Sequence, residues 1–146
     1  MTLRILTFVS KISATEFAIF DDGVQVLNES LEHVAPELHS LLTPHEQGRF
    51  RLSLMMETLE EQDIDFKLID MIVTQTECTD VPCGIYLVNR KLVDYLKDSK
   101  LEENHQRAGI FMLYTFAEYI NSNYDAECIP ILLEAAIEDE IMRDAV

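Results

Sequence analysis

Positive charge is what this sequence has least of. Lysine and arginine together number 11 against 27 aspartates and glutamates, which leaves −16 at neutral pH. A surface so acidic repels phosphate backbones and anionic lipid, so nucleic acid and membrane surfaces are not expected as partners. It keeps the chain soluble and favours a basic partner, if it favours any. Cysteine is scarce as well. Cys78, Cys83 and Cys128 are an odd number, and no second Cys/His pair follows the first two at zinc-finger distance, His105 being the next histidine. No apolar segment reaches the roughly 18 residues a membrane helix needs, and no basic region leads into an apolar run of signal length. These absences read as reduced thiols in a cytoplasmic protein. No repeat, low-complexity tract or linker divides the 146 residues, which fit one domain over 1–146 with length enough for a core. A hydrophobic content of 48% argues for a globular fold over disorder.

Residues 3–9 and 15–20 are β-rich runs around a Ser/Lys/Ser turn, and Asp21-Asp22-Gly23 signals a tight hairpin into residues 24–31. Residues 47–62 read as a helix with Phe50, Leu54, Met55, Thr58 and Leu59 on one face. Strand-like runs follow at 69–74, 84–88 and 129–133, with helices expected at 89–97, 106–121 and 137–143. The helix over 106–121 carries a core stripe of Ile110, Leu113, Tyr114 and Ala117, and further apolar residues on other faces. A helix apolar nearly all round is buried on more than one side. Periodicity by itself gives an α/β fold.

Several segments, in order and at matching spacing, resemble butyrate kinases. Phe17-Ala18-Ile19-Phe20 before Asp21-Asp22-Gly23 is similar to the family's second strand and turn. Leu31-Glu32-His33 resembles its Leu-Arg-His, and Phe50-Arg51 its Phe-Arg. Gly84-Ile85-Tyr86-Leu87-Val88-Asn89 is similar to Gly-Thr-Tyr-x-Val-Asn, and Ile129-Pro130 to Ile-Pro. The resemblance spans nearly the whole chain but only the amino-terminal half of a family member. It implies a ribonuclease-H-like, actin-like ATPase lobe, with a mixed five-stranded sheet flanked by helices.

The same resemblance implies that the catalytic signatures have degenerated. The family's first turn reads Asn-Pro-Gly-Ser-Thr-Ser-Thr-Lys and wraps a phosphate. Here Ser10, Ser13 and Thr15 keep hydroxyls, but Lys11 stands at the turn glycine and Glu16 at the lysine. A phosphate turn needs glycine for close backbone approach and gains from a nearby cation. Gln75 replaces the arginine of Gly-Arg-Gly-Gly, and it can hydrogen-bond but not neutralise a phosphate. Asn104 occupies the position of the family's histidine, with His105 one residue off, about 100° round a helix. Ala135 falls where a carboxylate is expected near the transferred group and its metal. Phosphoryl transfer depends on positioning and charge neutralisation, so these losses together point to a non-catalytic, kinase-derived domain acting by binding or assembly. The alternative is the substrate lobe of a split butyrate or carboxylate kinase, with ATP and magnesium required only in that case.

Other readings stay subordinate. Thr7, Ser10, Ser13 and Thr15 with Lys11 could line an anion turn, but an ordinary polar turn is favoured. Glu134, Glu138, Asp139 and Glu140 read as a solvated acidic helix face rather than a metal cluster, and no metal site is expected. Cys78 and Cys83 read as ordinary loop thiols rather than a redox pair. A ribonuclease-like nuclease would need an acid on the first strand, and residues 3–9 contain none. The other faces of the helix over 106–121 are expected to be covered by a neighbouring helix, by the strand region around Tyr86 or by another chain, and the second apolar stripe around Met112, Phe116 and Tyr119 is expected to support a homodimer or to meet a partner protein.

Overall fold

The computed structural model describes residues 2–34, 43–76, 84–97 and 104–134. Three strands open it: β1 (Arg4–Ser10), β2 (Ala14–Asp21) and β3 (Val24–Glu32) form an antiparallel meander. The second hairpin turns on Asp22 and Gly23, with φ of 50° and 85°. Glycine tolerates that left-handed backbone, and aspartate tolerates it better than most residues, so Asp-Gly closes the two-residue turn.

Helix α1 (Pro44–Glu61) begins where the chain supplies its own cap. The Thr43 hydroxyl accepts the Glu46 amide at 3.1 Å, and Pro44 fills a first-turn position that needs no N–H. The cap extends the helix upstream of the expected start at residue 47. A 3₁₀ turn (Phe66–Leu68), β4 (Met71–Thr76), β5 (Gly84–Leu87), α2 (Arg90–Lys97), α3 (Asn104–Tyr124) and β6 (Ile129–Glu134) complete the described elements.

All six strand-like runs join one sheet, in the order β3-β2-β1-β4-β6-β5. This corrects the five-stranded expectation: β5 adds an edge strand, antiparallel to β6, beyond a core in which β1, β4 and β6 run parallel. The architecture remains the expected mixed α/β sheet with helices packed on it. The residues expected in a helix over 137–143 lie outside the described residues.

Alternation along the strands sends Leu6, Phe8, Phe17, Ile19, Ile72 and Leu132 to the face where the helices pack. Leu52, Met55 and Leu59 reach it from α1, and Met112, Leu113, Phe116 and Ile120 from α3. Met112 and Phe116 are fully buried, and the Phe116 ring meets Phe66 edge-on at 5.2 Å. The second stripe of α3 is therefore covered from within the chain, and only Tyr119 of the expected contact trio is appreciably open, at 37%. The expected dimer contact on this helix is corrected accordingly. Helices α1 and α3 cross closely at Gly48, where an added Cβ would stand 2.5 Å from Phe111 Cδ1 and 3.0 Å from the Ala108 carbonyl oxygen.

Candidate functional cleft

In an open α/β sheet, ligands gather beyond the carboxyl ends of the parallel strands, where loops diverge and helices begin. This chain has a cleft of about 660 Å³ at that place. Its walls are the β1–β2 turn, the end of β4 and the start of α3. Ser10, Lys11, Ser13, Glu16, Gln75 and His105 all line it, so the fold unites six of the degenerate positions picked out in the sequence. Glu32, Thr76 and Gln106 also line it and were not anticipated.

The turn keeps a hairpin form without glycine. Lys11 N–H donates to the Ala14 carbonyl at 2.8 Å, which leaves Ile12 and Ser13 at the tip. Among the described residues the positive-φ positions are Asp22, Gly23, Asp63 and Asp125, so this turn uses none. Lysine at position 11 is thus sterically acceptable. Its ammonium lies 2.9 Å from Glu16 Oε2, and the two charges neutralise one another at the cleft mouth.

Thr15 departs from expectation. Its side chain is fully buried behind the turn and is not part of the cleft wall. It belongs to a network around Arg51, which has no solvent exposure. One guanidinium nitrogen of Arg51 donates to the Ala14 carbonyl at 2.8 Å and to Thr15 Oγ1 at 3.3 Å, and the other to the Ile12 carbonyl at 3.1 Å. Thr15 Oγ1 also lies 2.8 Å from His33 Nε2, and the His33 ring stands edge-on to Phe50. No carboxylate forms an ion pair with Arg51 among the described residues. Burial pushes its guanidinium down to about 10. Arg51 staples the turn from behind, pairing the Ile12 carbonyl at its tip and adding a second donor to the Ala14 carbonyl that Lys11 N–H already reaches. The spacing from Met55 and Leu59, four and eight residues on, could have placed it on the buried face.

At the floor, the Thr76 hydroxyl donates to Glu134 Oε2 at 2.7 Å, and both residues are buried. Glu134 closes β6 and faces the helices. Glu134 is thus a strand residue, which corrects its own place in the expected acidic helix face. Glu138, Asp139 and Glu140 lie outside the described residues, as do Ala135, Cys78 and Cys83. Asn104 opens α3, and His105 in the first turn is the histidine that reaches the cleft. Thr7 is not among the lining residues. Nearby, the Ser10 hydroxyl oxygen is buried with no hydrogen-bond partner among the described residues. Helix α3 approaches closely here, since a Cβ on Gly109 would lie 3.4 Å from Ser10 Cβ.

Magnesium is held by carboxylate oxygens together with phosphate and water. The donors present do not fit it well. Among the described residues no three His, Cys, Asp or Glu side chains converge, and the Glu134 carboxylate is bonded to Thr76. No helix among the described residues is long and apolar enough to cross a membrane.

No family model matches the chain. It is 26% identical over 119 residues to butyrate kinase 2 of Clostridium acetobutylicum, which covers 81% of this chain and 33% of the relative. A probable butyrate kinase of Coprothermobacter proteolyticus is 24% identical over 142 residues, 97% of this chain and 38% of its own length. The chain therefore spans about a third of the length of the curated relatives it matches. Among solved structures, acetate kinase from Entamoeba histolytica superimposes with a TM-score of 0.54 at 11% identity, covering 90% of this chain and 34% of that one. An exopolyphosphatase from Cytophaga hutchinsonii gives 0.55 at 8% identity, over 99% of this chain and 58% of its own. With the cleft at the carboxyl ends of β1 and β4, these likenesses give the chain the fold of the acetate kinase structure and a sequence similar to part of the butyrate kinases.

Proposed function

We propose that this domain is a non-catalytic, kinase-derived binding module, which holds a small molecule in the cleft and transfers no phosphoryl group. The observation that carries the reading is the Lys11–Glu16 pair at 2.9 Å. The cation that lines the cleft is neutralised inside the turn, and the next polar wall residue, Gln75, carries no charge. A transferring phosphoryl group needs preorganised positive charge where its own negative charge develops. The test is incubation with ATP, magnesium and butyrate, acetate or propionate. No acyl phosphate above the buffer control is expected. Turnover that disappears on substitution of Lys11 or Ser13 overturns the reading.

One observation favours a second reading, the substrate lobe of a split carboxylate kinase. His105 lines the cleft although it stands one residue from the family's histidine position. In that case a separately produced nucleotide lobe, with ATP and magnesium, restores turnover and His105→Ala removes it.

Assembly has its own support. Among the described residues β5 is an edge strand with Ile85 74% and Leu87 63% exposed, and an open strand edge is a template for pairing. The occupant proposed is a second copy of this chain, paired edge to edge. Sedimentation then gives a dimer that Ile85→Lys dissociates, and a wild-type monomer at tens of micromolar in physiological salt rules the contact out.

A further inference from the structure

The pole of the sheet opposite the cleft carries a second surface. Strands β1, β4 and β6 run parallel, so the segments that lead into β4 and β6, residues 62–70 and 125–128, meet at their amino ends. The Ile129 N–H donates to the Asp70 carbonyl at 3.0 Å, and the Asp70 N–H to the Arg4 carbonyl at 2.9 Å, which ties these segments together. Helices α1 and α3 finish beside them, at Glu61 and Tyr124. Two aromatic rings stand open there. Tyr119 and Tyr124, 37% and 41% exposed, have centroids 6.2 Å apart and planes inclined by 73°. Tyr119 also rests edge-on against buried Phe66, at 6.4 Å, so the pair is anchored to the core. Leu68, on the same 3₁₀ turn as Phe66, adds exposed apolar area.

Charge decides what this face attracts. Residues 57–70 and 118–127 contain nine acids and one lysine. Lys67 is matched by Asp65 at 3.7 Å, and neighbouring Arg4 by Asp21 at 2.7 Å. Glu60, Glu61, Asp63 and Asp125 are exposed and form no ion pair among the described residues. Neither helix has a basic residue in its last turn, where a cation would offset the helix dipole. The field reaches the rings. Desolvation first, then the hydrogen bond to Tyr119 and the charges of Asp65 and Glu60, hold the Tyr124 phenol above its ordinary range.

We propose that this face docks an arginine-bearing basic segment of a partner protein. Ring faces attract a cation, and the surrounding carboxylates pair with it. Anionic surfaces are repelled, and a second copy of the chain presents the same charge. Acids spread over two segments call for several cations in one ligand, which an extended peptide supplies. Arginine suits the face better than lysine, because its planar guanidinium stacks on aromatic rings and pairs bidentately with carboxylates. The surface is separate from the cleft, so its failure leaves the reading of the cleft untouched.

Titration of the whole chain, followed by backbone amide shifts, tests it. The probe is a capped peptide of arginines spaced by glycine, with lysine and glutamate versions of equal length and methylguanidinium as counterparts. The arginine peptide is expected to shift Leu68, Tyr119 and Asp125 and to bind about twofold or more tightly than the lysine peptide, and the glutamate peptide to leave them unshifted. Tyr124→Leu keeps apolar bulk but removes the ring, and is expected to weaken the arginine peptide by about two- to fivefold. Glu60→Gln with Glu61→Gln should weaken it more than Glu32→Gln with Glu46→Gln, which removes the same charge at the far pole. The proposal is overturned if the arginine peptide leaves those amides unshifted, or if the lysine peptide binds as tightly. It is also overturned if the two double variants weaken binding equally, or if Tyr124→Leu binds as wild type does. Methylguanidinium binding as tightly as the peptide would make this a small-cation site and overturn the protein partner.

Discussion

Lys11 and Glu16 face each other beside the β1–β2 turn, with the ammonium nitrogen 2.9 Å from the carboxylate oxygen. Each stands where the butyrate kinase resemblance places the other kind of residue, glycine for the first and lysine for the second. The pair closes on itself at a place where the resemblance implies a phosphate.

Reversing that exchange should restore an anion site. Calorimetric titration of wild type with acetyl phosphate or ATP–magnesium is expected to show no heat of binding, and Lys11→Gly with Glu16→Lys a measurable one. Both side chains are about half exposed, so losing the ion pair should cost under about 1 kcal/mol of stability. Equal heats from wild type and variant would refute this account of the turn.

Arg51 should matter far more to stability. Truncation to Met keeps the buried stem but removes the donors to Ile12, Ala14 and Thr15, stranding the Ile12 carbonyl while Ala14 keeps Lys11 N–H and Thr15 keeps His33. A loss of about 3 kcal/mol in denaturant unfolding is expected, from the lost hydrogen bonds of a charged donor and one stranded acceptor. Exchange of the Lys11 amide, which bonds to Ala14, should quicken out of proportion to the sheet core. If Arg51→Met unfolds at the wild-type midpoint, the staple is irrelevant.

At Gly48 two effects of opposite sign compete. Alanine in a helix interior is favoured over glycine by up to about 1 kcal/mol. Here its Cβ would press 2.5 Å from Phe111 Cδ1 and 3.0 Å from the Ala108 carbonyl oxygen, and the latter belongs to backbone. Overpacking at a helix crossing costs about 1–3 kcal/mol, so Gly48→Ala should lower the melting temperature. Phe111→Leu in the same chain should recover part of the loss, and an unchanged or raised melting temperature for Gly48→Ala alone would show that the crossing yields.

Cys128 sits buried at the entry to β6, its backbone N–H donating to the side-chain Oδ1 of Asn121 at 2.6 Å. Burial, with a smaller contribution from Asp70, raises its thiol from an ordinary 9.0 to about 12. A raised folded-state value favours the protonated thiol, so its share of stability is complete below about pH 9 and is lost as pH climbs toward 12. Peptide mapping after iodoacetamide at pH 8 should find Cys128 unlabelled in native protein and labelled in urea. Cys128→Ser should reduce the slope of stability against alkaline pH, and native labelling at the unfolded rate would contradict the burial.

Much of this was legible from residue order. Asp22-Gly23 announced its hairpin because few dipeptides accept two left-handed positions in a row. The strand runs and the helix over 106–121 followed from periodicity, and six of the positions the resemblance marked do meet in one cleft. Arg51, Thr15 and His33 were hidden because an arginine on a helix is ordinarily solvated, and nothing local says that its donors will find three acceptors in a turn some 36 to 39 residues earlier. The Thr76–Glu134 bond spans 58 residues and exists only because β4 and β6 pair in register. Glu134 was assigned to a helix because acids spaced by four look alike whether or not a strand ends between them.

Charge balance, the apolar period of each element, the turn chemistry and the replaced family positions are properties of neighbours along the chain, so sequence alone determined them. Which apolar face of α3 would be covered, which way Thr15 would turn, and whether Lys11 would point at a ligand or at Glu16 were decided only by tertiary structure. Each depends on groups brought together by long-range strand pairing and helix crossing, where burial removes water and leaves every polar atom to find a partner within the fold.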